Sequence, residues 1–87
     1  MIVRIKNFEI LPDFMLRVEF DDGKIVLYDV KDNIRQIPEY IDLQEIYGLF
    51  RQARLDSSRS WIVWNENIDL PADVVYEYGQ VIHSTKE

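Results

Sequence analysis

Cysteine is absent from the 87 residues, which excludes disulfides, thiol nucleophiles and thiolate metal sites together. Histidine occurs once, as His83, which removes most metal and acid–base chemistry. Basic residues are in deficit, ten Lys and Arg against sixteen Asp and Glu, for a formal net charge of −6. Proteins that hold nucleic acid through its phosphates usually carry the opposite sign. No apolar run reaches the roughly 18 residues a membrane span needs, and no basic-then-apolar leader opens the chain. A cytoplasmic protein without a membrane partner is expected. What is present is a core: 47% of the residues are hydrophobic and 13% aromatic, too apolar for a disordered chain. One small domain over residues 1–79 is expected, with residues 80–87 as a frayed tail.

Residues 2–10 form a β-branched stretch that roughly alternates, broken by Pro12 and Asp13. Residues 14–20 then alternate cleanly: Phe14, Leu16, Val18 and Phe20 face one way, Met15, Arg17 and Glu19 the other. Asp21-Asp22-Gly23 reads as a tight turn, with Gly23 supplying the positive φ that a hairpin closure needs. Two registers are open. A two-residue Asp22-Gly23 turn pairs Phe20 with Ile25 and puts Leu27 on the core face. A three-residue loop ending at Gly23 aligns Val26, Tyr28 and Val30 with Val18 and Phe20, and is preferred. A slip of one residue exchanges the faces completely.

Residues 31–38 read as a connection. Asp42 and Glu45, three apart, have capping-box spacing, and Ile41 and Ile46 stand where a hydrophobic staple would. A short helix is expected there, stopped by Gly48 in a left-handed conformation, with Leu43, Ile46, Tyr47 and Phe50 packed on the sheet. Residues 51–56 and 61–64 read as strands, joined by the Ser57-Ser58-Arg59-Ser60 turn, and Asn67 is a candidate left-handed loop position. Pro71, Asp73 and Gly79 bracket a second helix with Val74, Val75 and Tyr78 as its apolar stripe. The fold class is α+β: an antiparallel-rich sheet of about five strands with two short helices, in the order β-β-β-α-β-β-α.

The run Leu16-x-Val18-x-Phe20-x-Asp22-Gly23, then Tyr28-Asp29-Val30, Leu43, Phe50 and Leu55-Asp56, resembles a small bacterial family catalogued as domain of unknown function 2442. So do Trp64, Asp69-Leu70, Pro71-x-Asp73 and Tyr76, and the resemblance covers about residues 2–78. It implies an α+β domain of this length. Some relatives of that kind are followed by a helix-turn-helix domain, and some are encoded beside a second small protein in a toxin–antitoxin-like arrangement. It carries over no catalytic residues. After Trp64 the chain departs from the family pattern, with Asn65 and Glu66-Asn67 in place of Pro and Asn-Gly.

The carboxylates read as structural. Asp22 with Gly23 belongs to the turn, Asp42, Asp69 and Asp73 sit at expected helix starts, and Asp29 interrupts an apolar strand where it can bond Arg35 or the next backbone amides. General acid–base catalysis needs a second positioned group, so no enzyme, cofactor or metal site is expected. Trp61 and Trp64, three apart on a strand, point to opposite faces. With Tyr28, Arg51 and Arg54 they are the candidate interaction surface, since Trp, Tyr and Arg dominate interface energetics. The expected function is a non-catalytic protein-interaction domain, and the toxin–antitoxin-like arrangement that the resemblance implies makes it an antitoxin-like companion of a small basic protein. A homodimer is expected, because two strands are apolar on both faces. The alternative is a DNA-associated regulator using Arg51, Arg54 and Arg59.

Overall fold

Period-two alternation builds the first sheet. The computed structural model describes residues 3–83. Strands β1 (Ile5–Leu11), β2 (Met15–Phe20) and β3 (Ile25–Asp29) form an antiparallel meander. Val18 pairs with Val26 and Leu16 with Tyr28, and the amide of Phe20 donates to the Lys24 carbonyl at 2.9 Å. The loop is therefore the three-residue one, closed by Gly23 at φ 92°. Leu16, Val18, Phe20, Val26, Tyr28 and Val30 are all buried, while Leu27 lies on the outer face.

The connection after β3 is more ordered than the sequence pattern implies. Helix α1 (Lys31–Gln36) buries Ile34, and a 3-10 turn over Pro38–Ile41 runs straight into α2 (Asp42–Glu45). That continuity undoes the expected cap. A capping residue needs extended backbone, whereas Asp42 already has φ −61° and ψ −27°, and α2 starts without a side-chain cap. The staple is absent too: Ile41 and Ile46 are exposed, and Tyr47 is fully so. Leu43 and Phe50 pack inward as expected, and Gly48 is left-handed at φ 81°.

A second antiparallel sheet follows, of β4 (Arg54–Leu55), β5 (Trp61–Asn65) and β6 (Ile68–Pro71). The chain is α+β as expected, with its strands divided into sheets of four and three. Strand β6 escapes the pattern because Asn65 organises the turn before it. Its side-chain oxygen accepts the amides of Asn67 and Ile68 at 2.8 and 2.9 Å. Asn67 itself is not among the positive-φ residues. Asp69 therefore lies within a strand, with its side chain exposed. Its carbonyl accepts the Tyr40 hydroxyl, and burial pushes that phenol up to about 12, the Asp69 charge adding to it.

Helix α3 (Ala72–Tyr78) buries Ala72 and Val75, whereas Tyr78 is exposed. Tyr76 makes the expected third contact instead, its ring edge-on to Phe20 at 4.9 Å. Gln80–His83, expected to fray, forms β7 beside β3, completing the order β1-β2-β3-β7. Residues 84–87 of the expected tail lie outside the described residues. Ile62, Trp64, Ile68 and Leu70 of the second sheet share one hydrophobic cluster with the inner face of the first. Among the described residues no polar or charged side chain is buried, and no helix is long and apolar enough to cross a membrane.

Gly79 is not the left-handed stop its position suggests: its φ is −70°. It is needed for space. A β-carbon there would lie 2.7 Å from the Val75 carbonyl oxygen and 2.8 Å from a Val26 methyl group. Gly79→Ala should therefore lower stability by about 1–3 kcal/mol, as overpacking does. Asp42→Ala, lacking a cap to remove, should stay within about 0.5 kcal/mol. Urea melts of the two variants side by side check both.

Candidate functional site

The five candidate surface residues do not gather. Trp64 and Tyr28 belong to the core, at 2% and 8% exposure. The indole N–H of Trp64 donates to the Phe50 carbonyl at 3.0 Å, and its ring stacks on Phe50 with centroids 5.9 Å apart. The Tyr28 hydroxyl donates to Asn33 Oδ1 at 2.8 Å, and burial raises its pKa. Both find hydrogen-bond partners inside, so burial costs them no polar penalty.

Trp61 is different. It stands 39% exposed on the opposite face of β5, as its spacing from Trp64 requires. Trp61 pairs with Pro71, Val63 with both Asp69 and Arg54. Directly paired residues share a face, so Trp61, Val63 and Pro71 form an apolar strip on the outer side of the second sheet, bounded by Arg54 and Asp69. Arg51 lies elsewhere, on an apolar groove of about 410 Å³ between the β1–β2 turn and the loop after α2.

The three arginines of the DNA reading are likewise separated in role. Arg59 grips Asp21 through two bonds of 2.8 and 3.0 Å, and its guanidinium also donates to the Ile5 carbonyl at 3.1 Å. Its own carbonyl accepts the Ile5 amide at 2.8 Å. The result joins the loop before β5 to both the start of β1 and the β2–β3 turn. A lone arginine in a serine-rich turn offers no signal of this, because Asp21 lies far back in the chain. Asp56 was also missed as an organiser: it accepts the Ser58 hydroxyl at 2.7 Å and the amides of Ser60 and Trp61 at 3.1 and 3.2 Å. An acid two residues before a serine is a recognisable turn signal.

Asp22 and Asp29 each bond the backbone two residues further on. Asp22 accepts the Lys24 amide at 2.9 Å and the Tyr76 hydroxyl at 2.5 Å. Asp29 accepts the Lys31 amide at 2.9 Å and pairs with its ammonium at 3.1 Å. Arg35, its other expected partner, pairs with Asp32. Asp29 and Asp32 line one small cleft, each already paired to a cation. No cluster of three metal-ligating groups exists among the described residues.

Taken together, the two antiparallel sheets, the three short helices and the turn and loop anchors define a small α+β domain. The chain matches the family described as Protein of unknown function (DUF2442) over residues 5–80 and belongs to it. No curated protein and no solved structure matches the chain.

Two outcomes follow from these charges. The carboxyls of Asp21, Asp22 and Asp56 are all held below the usual range, by Arg59, Tyr76 and Ser58 respectively. A depressed carboxyl stabilises the fold above its unfolded pKa of about 3.9, and that contribution is lost as pH falls through the lower folded value. Denaturant midpoints should therefore decline below about pH 4, and Asp21→Asn should flatten that decline while lowering the midpoint at neutral pH. With Arg59 committed to Asp21, duplex DNA should show no gel shift at about 150 mM salt. A tight, sequence-selective shift there would overturn this.

Proposed function

We propose that the chain is a non-catalytic protein-interaction domain, an antitoxin-like companion of a small basic protein. The observation that carries this reading is the outer face of the second sheet, where Trp61 stands 39% exposed beside Val63 and Pro71. Trp and Arg are the residue types that dominate binding energy at interfaces, and Arg54 borders the strip. Charge supports a basic partner. Residues 61–83 contain no Lys or Arg, and Glu66, Asp69, Asp73 and Glu77 are exposed. None of the four joins an ion pair among the described residues. Complementary fields speed encounter, and a basic protein that acts on nucleic acid would have that surface blocked by an acidic one.

The DNA-regulator alternative has less behind it, since only Arg51 and Arg54 of its three arginines are uncommitted. Recovery of the tagged protein from its native cell, followed by reconstitution from two purified chains, separates the readings. The expected result is a basic protein bound in stoichiometric amount and released by salt. Trp61→Ala should weaken that complex by about 2 kcal/mol or more and leave the melting temperature of the free chain in place. Nucleic acid recovered instead would favour the regulator. A dimer of this chain alone in ultracentrifugation, dispersed by the same substitution, would make a second copy the occupant.

A further inference from the structure

The β1–β2 turn carries unusual backbone strain. Asp13 and Phe14 are consecutive left-handed residues, at φ 64° and 58°, and neither is glycine. Two consecutive positive φ values close the hairpin between β1 and β2 as a primed turn does, a conformation that a bulky aromatic seldom takes. The surroundings hold it in place. The Phe14 carbonyl accepts the Val30 amide at 3.0 Å, and its ring meets Phe50 edge-on at 5.1 Å. Asp13, Phe14 and the left-handed Gly48 of the opposite loop all line the same 410 Å³ groove. That volume lies within the range that takes a small organic ligand.

The walls of the groove are apolar, with Ile10, Phe14, Leu43 and Phe50 among them, and its two charged residues are Asp13 and Arg51. Asp13 is already compensated: the Lys31 ammonium lies 3.0 Å from its carboxylate and donates to its carbonyl at 2.7 Å. Arg51 is exposed and joins no ion pair among the described residues. Neither Asp42 nor Glu45 lines the groove. An apolar cavity with one uncompensated guanidinium complements a molecule of matching polarity, apolar in body and singly anionic at one end. A planar carboxylate suits the guanidinium fork best.

We propose that this groove binds a small apolar monocarboxylate, its body against Ile10, Phe14 and Ile46 and its carboxylate on Arg51. The site shares no residue with the outer sheet face on which the protein-interaction reading rests, so the two stand or fall separately. Amide NMR spectra of the full chain, titrated with hydrocinnamate and with the corresponding neutral alcohol, test it. The acid should produce saturable shifts confined to residues 10–14 and 43–51, and the alcohol should bind more weakly. Arg51→Gln should weaken the acid about tenfold, the effect of losing one charge-assisted hydrogen bond, and leave the alcohol unchanged. Arg54→Gln, outside the groove, should change neither. Absence of saturable shifts, shifts centred elsewhere, equal binding of acid and alcohol, or an Arg51→Gln variant that binds the acid as well as the parent would each overturn the assignment.

Discussion

The inner face of the β1-β2-β3-β7 sheet must be kept from water, and the helices are too short to do it. Leu16, Val18, Phe20, Val26 and Tyr28 are all buried there. Burying each large apolar side chain is worth about 1.5–3 kcal/mol, so these five together rival the whole net stability of a domain, about 5–15 kcal/mol. Helices α1 and α2 bury one residue each, Ile34 and Leu43. The second sheet supplies much of the cover, through Ile62, Trp64, Ile68 and Leu70. An aromatic row from Phe14 through Phe50 to Trp64 and Tyr40 links the two sheets. Most other features follow from holding that cover in place.

The Arg59 junction is one such feature. Its ion pair with Asp21 is roughly half exposed on both sides, and exposed pairs contribute little by Coulomb attraction alone. Its value is positional. The same residue exchanges backbone and side-chain bonds with Ile5, and the Ser60 carbonyl beside it accepts the Ala72 amide at 2.8 Å. One loop thus ties the second sheet to β1, to the β2–β3 turn and to the start of α3. Asp56 folds that loop around its own carboxylate.

Covering one face leaves others free, and function is sought on those. Trp64 is drawn into the cover, and Trp61, on the other side of the same strand, is left facing solvent with Val63 and Pro71. Glu66, Asp69, Asp73 and Glu77 are exposed on a segment, residues 61–83, that holds no Lys or Arg, and the proposal of a basic partner rests on that charge. At the far end of the aromatic row, the strained Phe14 that anchors it also walls the groove beside Arg51. Phe14 thus serves both the packing and the groove wall.

Local chemistry was legible in advance. Alternation over residues 14–20 identified β2 and its buried side chains, Asp21-Asp22-Gly23 the turn, and the three-residue spacing of Trp61 and Trp64 their opposite faces. Family membership was legible as well, because turn, strand and core positions recur in order. The register of the hairpin was narrowed but settled only by the Phe20–Lys24 pairing. Other features depended on residues distant in the chain. Strand β7 exists because Gly79 lets the backbone pass against Val26, and its side chains, all exposed, carry no pattern of their own. The cap expected at Asp42 was lost to the preceding turn, and Arg59 acquired its role from Asp21 and Ile5. Which tryptophan is buried was decided by the sheet opposite. Periodicity and turn propensity act within a few residues and are written along the chain; pairing and cover act across it, and only the folded arrangement assigns them.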